Sequence, residues 1–390
     1  MKKGIKRLIL LLISLLVCLF IAEVTLRFFG HGVTHVTRGA LHCQNNDTGW
    51  ACQPNLDARY RVPGCFDVAI TCNSRGLRDK ERSIEKPDGK KRIVVLGDSF
   101  IWGYGVNNKN MFSSVVEESL TDTEVINLGV CGYSTVQELI RLEMEGLLYN
   151  PDLVMLVFCR NDLEDNLDIK GGGRPVVADN NGTFEIINRP VKKKWKAPVK
   201  QWLRHHSRLF CSLEYVTQVR RVMKKREQKR KTLMAVMQDG ASMSETKRKD
   251  SGLKFSLLEI YSNPTPDIDY AWKVQEHLIL RIKEMSLSKK AKLMVVYVAH
   301  IECMDKEIFA KLIGSRAEDK SKLDLDWDRP AERLGAICAR NEIQFMDLTP
   351  AFREHPEPLS LFFERNIHWS AKGHQLAAET VANKLKTYAK

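Results

Sequence analysis

The chain has no C-x-x-C pair, no glycine-rich phosphate loop beyond the short Gly103-Tyr104-Gly105, and no internal repeat. The first absence argues against a zinc knuckle. The second argues against a nucleotide-binding loop, and the third excludes a solenoid. No metal and no cofactor is therefore expected. Charge of one sign is also missing from most of the chain. The net charge is +13, yet residues 192–231 hold fifteen Lys/Arg against two Glu, so the rest is close to neutral. Basic character is a local feature. With 390 residues, 44% hydrophobic and 28% charged, chain-wide disorder is excluded, and one large domain with additions fits the length.

What is present begins with a long apolar run. Residues 1–7 (MKKGIKR) are cationic, and residues 8–22 are uncharged and mostly apolar. Fifteen residues are long for a signal-peptide core and short for a spanning helix, which needs about 20. A cleavage site after Ala22 would place bulky Phe20 where a small residue is needed, and Cys18 lacks the small residue that precedes a lipidated cysteine. Extension through Glu23 and Arg27 to Phe29 reaches spanning length. The preferred reading is an uncleaved signal anchor over 8–29, with a cleaved signal peptide as the alternative. Residues 1–7 would stay cytoplasmic and the bulk would be periplasmic or extracellular.

Residues 30–90 form a lead-in rich in turn residues, read as irregular and partly β. Cys43, Cys52, Cys65 and Cys72 cluster there. In an exported chain such spacing favours one or two disulfides over a zinc site. Cys131, Cys159, Cys211, Cys303 and Cys338 lie in apolar stretches and read as buried thiols.

From residue 91 the texture changes. Apolar runs at 93–96, 125–127, 153–158, 293–298 and 343–346 alternate with helix-period stretches, clearest at 135–149, 270–288, 330–340 and 371–388. Strands without polar alternation, separated by helices, predict an α/β fold: a doubly wound, three-layer sheet of about five parallel strands. Ser370 is the expected N-cap of the last helix. Residues 170–269 interrupt the rhythm as an insertion. It holds a β-hairpin turning at 179–182, then the basic stretch, then a polar segment over 238–254.

Four blocks fall at the carboxyl edge of this sheet, where open parallel sheets build their sites. Gly97-Asp98-Ser99 ends the first strand. Asn127 through Ser134 follows the second and includes Gly132, whose backbone N–H is open to approach. Cys159-Arg160-Asn161-Asp162 follows the third, and Asn366-Ile367-His368-Trp369 precedes the final helix. Alone, Gly-Asp-Ser would read as a helix cap. In this company and order, a nucleophile, a backbone donor, an amide donor and a base share one edge, as acyl transfer requires.

These blocks resemble those of the SGNH/GDSL hydrolases over residues 70–390, most of the insertion excepted. The resemblance implies Ser99 as nucleophile and His368 as general base, with the Ser99 N–H, Gly132 N–H and Asn161 side chain as the oxyanion hole. It implies a structural role for His374, and loop-shaping roles for Asp98 and Asp162. Two departures stand out: Cys159 replaces the usual glycine, and Asn366 and Arg365 occupy the places where the family carries an aspartate. Asn366 can orient an imidazole but stabilises the imidazolium less. Glu364 and Asp347 are other candidates for the third position.

Fifteen cations in forty residues invite a nucleic-acid reading, which export argues against. Apolar residues from Trp195 and Trp202 through Phe210, Leu213, Val216 and Val219 recur among Lys/Arg at helical intervals. That suits an amphipathic helix on an anionic lipid surface, an acidic polysaccharide, or a solvated flank. Three functions remain open: an exported esterase removing acyl groups from an O-acylated envelope glycan or lipid, an O-acyltransferase modifying an exopolysaccharide, or a non-catalytic glycan-binding protein.

Overall fold

The computed structural model describes residues 2–29, 35–168, 173–180, 182–192, 197–221, 224, 259–307, 309, 325–364 and 366–388. Part of the basic stretch, including Trp195, and the polar segment 238–254 lie outside the described residues, as does Arg365. The apolar amino-terminal run forms α1 (Lys2–Phe29), about 42 Å long at 1.5 Å per residue. Among the described residues it is the one helix long and apolar enough to cross a membrane by length and composition. Its large side chains from Ile5 to Ile21 are exposed.

The lead-in is more ordered than its composition suggests. It forms β1 (His35–Val36), β2 (His42–Asn45), β3 (Gly49–Cys52), β4 (Asp57–Val62) and β5 (Phe66–Thr71). β1, β4 and β5 make one small sheet, and β2 and β3 a hairpin. These strands share a core of their own with residues that follow: Tyr60, Ile70, Cys52 and Cys72 pack with Trp102, Val130 and Tyr133. None of the ten cysteines is in a disulfide, so the disulfides expected among Cys43, Cys52, Cys65 and Cys72 are not formed. The segment has a core to hold it. Cys52 is enclosed and accepts from the Trp102 indole N–H at 3.0 Å.

The five apolar runs become β6 (Lys91–Gly97), β7 (Thr123–Asn127), β8 (Leu153–Phe158), β11 (Lys292–Tyr297) and β12 (Gln344–Asp347), with the inserted hairpin β9 (Val176–Asn180) and β10 (Thr183–Ile187) between them. All neighbours in the large sheet are parallel, in the order β12-β11-β8-β6-β7. Renumbered by appearance this is 2-1-3-4-5, the order of doubly wound folds whose topological switch lies between the first and third strands. Val94, Val95 and Leu96 are fully enclosed, because helices cover both faces.

The described helices after α1 are α2 (Ser99–Trp102), α3 (Phe112–Ser119), α4 (Thr135–Met144), α5 (Asp162–Asp165), α6 (Ala197–His206), α7 (208–221), α8 (Pro266–Ser288), α9 (Arg329–Arg340), α10 (Thr349–Arg353) and α11 (Ala371–Tyr388). α3 packs with α11, and α4 with α8. Two boundaries differ from the sequence expectation for physical reasons. The stretch 135–149 breaks at Glu145, where the chain turns into the core. A Cβ on Gly146 would lie 2.9 Å from the side-chain ends of Leu128 and Leu142, so a larger residue there would push both aside. α8 starts four residues before 270, since Thr265 caps it and Pro266 occupies its first turn.

Candidate active site

β6 runs out at Gly97, and Asp98 caps the short α2 by accepting the Phe100 N–H at 2.9 Å. Ser99 is therefore the first helical residue, and its N–H has no acceptor within the helix. α2 stops after one turn at Gly103, whose φ of 80° suits glycine. This elbow sits at the switch point, with β8 on one side of β6 and β7 on the other.

His368 is brought to Ser99 by a loop pinned at several points. The Phe363 N–H donates to His368 O (3.1 Å) and the Ser370 N–H to Leu361 O (2.7 Å). The buried Trp369 donates its indole N–H to Ala299 O at 3.0 Å. Ser370 accepts weakly from the Gly373 N–H at 3.4 Å, in the manner of the expected cap. Ser99 Oγ then lies 2.7 Å from His368 Nε2. On the other side of the ring, Asn366 Oδ1 lies 2.5 Å from Nδ1 and accepts the His368 backbone N–H at 3.2 Å. That second contact fixes the chemistry. A backbone N–H only donates, so the Asn366 atom is the oxygen, and Nδ1 must carry the proton. Nε2 is left with its lone pair facing the Ser99 hydroxyl. The tautomer is the one a general base needs.

Asn366, the departure from the family pattern, thus occupies the Nδ1 side of the imidazole. Asp347 accepts the Thr349 N–H at 2.8 Å at the start of α10, and Glu364 is exposed. The ring is held between aromatic faces as well. Tyr104 packs tilted against it at 4.4 Å between centroids and Phe100 at 5.1 Å.

The three expected oxyanion donors come from three strand ends. Gly132 has φ 76°, a conformation that a side chain would strain. Its loop is tied to the nucleophile elbow by Asn127, which donates to Ile101 O (2.9 Å) and accepts the Gly129 N–H (2.9 Å). A Cβ on Gly129 would lie 2.6 Å from Trp102 N, so glycine is required for this approach. Asn161 begins α5 and donates one amide hydrogen to Asp165 Oδ2 at 3.1 Å, leaving the second amide hydrogen for another acceptor. His374 is buried and accepts the Phe112 N–H at Nδ1. Burial pulls its pKa down to about 3, so it is a neutral structural imidazole.

Several participants were not read from the sequence. Arg78, fully buried, donates to the carbonyls of Trp102 (2.9 Å), Gly103 (2.5 Å) and Val106 (2.5 Å). Burial lowers its pKa to about 10. Through it the lead-in grips the loop behind the nucleophile. Tyr60 and Phe66 of the lead-in pack on Tyr104, and Phe66 on Phe363, so the small sheet walls the histidine. Arg160 pairs with Glu302 at 2.5 Å, which also accepts from Tyr261 Oη at 3.1 Å. His300 lies beside Phe100, and burial lowers its pKa to about 3.

Behind Ser99 lie three buried carboxyls. Burial raises the pKa of Asp98 to about 6. Burial first, then mutual repulsion, pushes Glu138 and Asp162 far above the ordinary range. Both are thereby held toward the neutral form. Their only sequence signal is a Glu among apolar neighbours in α4 and an Asp after a strand, both of which read equally well as solvated. Among the described residues no group of three or more His, Cys, Asp or Glu is placed to hold a metal ion.

No protein-family model matches the chain, and no curated protein matches it. Solved structures similar to it include a member of the lipolytic G-D-S-L family from Veillonella parvula, 13% identical, covering 76% of this chain and 98% of that one with a TM-score of 0.39. A lipase/acylhydrolase from Enterococcus faecalis is 16% identical, covering 76% and 96%, with a TM-score of 0.37. A catalytic mutant of an acetylxylan esterase from Geobacillus stearothermophilus is 12% identical, covering 77% and 96%, with a TM-score of 0.38. Identities and scores this low add nothing to the geometry of the chain itself. The solved structures it is similar to are thus named as G-D-S-L lipolytic proteins, acylhydrolases and an esterase.

Proposed function

We propose that this chain is an exported, membrane-tethered serine esterase of the SGNH/GDSL kind, removing acyl groups from an O-acylated envelope glycan or lipid. The observation that carries the reading is the Ser99–His368–Asn366 chain, at 2.7 and 2.5 Å, at the switch point of a parallel sheet. In the first half-reaction Ser99 Oγ attacks the ester carbonyl while its proton passes to His368 Nε2. The carbonyl π pair moves to oxygen, which the Ser99 and Gly132 N–H groups and the Asn161 amide stabilise. The intermediate collapses, the C–O bond to the alcohol breaks, and His368 returns the proton to the leaving oxygen. Water then repeats the sequence on the acyl-serine, releasing the carboxylic acid and free Ser99. Asn366 Oδ1 keeps the imidazole oriented throughout, without adding a negative charge.

α1 would hold the enzyme at the membrane, with residues 1–7 in the cytoplasm and the catalytic domain outside. Labelling by a fluorophosphonate probe tests the chemistry. Wild type is expected to label at Ser99, Ser99→Ala not at all, and His368→Ala far more slowly. A His368→Ala variant that labels as fast as wild type would sink the proposal.

A further inference from the structure

The inserted basic region is not a free arm. Its two described helices form a hairpin whose inner side is pinned. Glu214 of α7 accepts from Arg204 of α6 (2.7 Å) and from Thr37 Oγ1 after β1 (2.9 Å), and pairs with Lys200 (2.9 Å). Cys211 is buried in the lead-in core. The hairpin is also fastened to the end of α1. Glu23 accepts Ser207 Oγ (2.9 Å) and the Arg208 and Leu209 N–H groups (3.0 Å each), and Arg27 donates to His206 O.

The outer side is of a different nature. Val199 and Trp202 are exposed on α6 and lie three residues apart; Trp202 stacks on His206. On α7, Leu213 and Val216 are exposed, as are Arg220 and Arg221 at its end and Lys224 beyond it. Exposed apolar groups, bordered by cations and held at the foot of an apolar helix, form an amphipathic surface. An acidic polysaccharide would account for the cations and for Trp202, but not for exposed Val199, Leu213 and Val216. A bilayer interface accounts for both.

We infer that α6 and α7 form an interfacial platform that lies on anionic phospholipid headgroups of the same bilayer that α1 enters. Trp202 and its apolar neighbours sit at the headgroup level, and Arg220, Arg221 and Lys224 meet the lipid phosphates. This rests on the tethering role proposed for α1. The Glu23 clamp then makes the anchor and the platform one unit and fixes the height of the catalytic edge above the membrane. Each cation near such a surface attracts anionic lipid appreciably, and salt screens it.

The test uses the full chain reconstituted in vesicles of phosphatidylcholine, or of two parts phosphatidylcholine to one of phosphatidylglycerol, each carrying a headgroup-proximal nitroxide quencher. The Trp202 signal is the difference between wild type and Trp202→Phe. Strong quenching in the phosphatidylglycerol vesicles is expected, falling to the phosphatidylcholine level in the Arg220→Glu/Arg221→Glu/Lys224→Glu variant and at high salt. Equal quenching in both vesicles would overturn the anionic assignment. No quenching while alkaline washing leaves the protein in the membrane would overturn the platform and leave the tether intact. A Trp202 signal that answers to added polygalacturonate and not to lipid would assign the surface to acidic polysaccharide instead. Release by alkaline washing would overturn the tether itself, and the platform's placement with it.

Discussion

At the scale of single residues, the site's weak point is the charge that Asn366 does not carry. Its oxygen holds the correct tautomer, so the usual penalty of replacing a triad aspartate, a flipped imidazole, is avoided here. What is missing is stabilisation of the imidazolium. Asn366→Asp is therefore expected to raise kcat on a short-chain ester, on the order of tenfold, and to move the acidic limb of the pH–rate profile upward. Asn366→Ala should lower kcat with little change in KM. Asn161→Ala should cost about a hundredfold in kcat, the usual loss for one oxyanion donor, and steady-state kinetics on the same ester would show it. Ser99 and His368 were legible because four blocks occur in one order at one sheet edge. Glu138 was not. It sits in the first turn of α4, where an acidic residue is ordinary, and only the packing of β6 and α8 against that helix reveals its burial.

At the scale of elements, the strands were legible within a residue or two, because enclosure on both faces leaves unbroken apolar runs. The final helix was legible to the residue, Ala371–Tyr388. The short α2 and the lead-in strands were not, because their order comes from long-range partners. Arg78 shows why. Nothing local marks it, yet its guanidinium serves three carbonyls around Gly103. A lysine cannot reach all three with the same geometry. Arg78→Lys is expected to leave buried carbonyls unpaired and to cost about 2–4 kcal/mol, read as a lower midpoint in urea. Because the α2 elbow moves with them, activity should fall further than the folded fraction does. The expected disulfides failed for the same reason in reverse: the cysteine spacing was read as a staple for a segment without a core, and the core came from Trp102, Val130 and Tyr133.

At the scale of the molecule, the buried carboxyls set how stability depends on pH. Asp98 keeps its proton to about 6 when folded, whereas the unfolded chain loses it near 4. The unfolded state thus binds fewer protons between those values, and stability is lost as pH rises through them. Glu138 acts in the same direction. Glu138→Gln removes that titration while keeping the shape of the neutral acid. It is expected to leave the melting temperature near that of wild type at about pH 4 and to raise it by roughly 2–4 °C at about pH 8, as calorimetry would measure. The three-layer architecture and the edge that carries the site were written in the periodicity. The walling of His368 by a separate small sheet, through Tyr60, Phe66 and Tyr104, was not, because it joins residues of the lead-in to a loop some three hundred positions away.

The central claim is that Ser99 forms an acyl-enzyme with His368 as its base. Mass spectrometry of the protein after rapid acid quenching from a short-chain activated ester measures it most directly. One acyl group on the peptide bearing Ser99 is expected in wild type, and none in Ser99→Ala. No adduct in wild type, or an adduct that forms on another residue and persists in Ser99→Ala, would contradict the account.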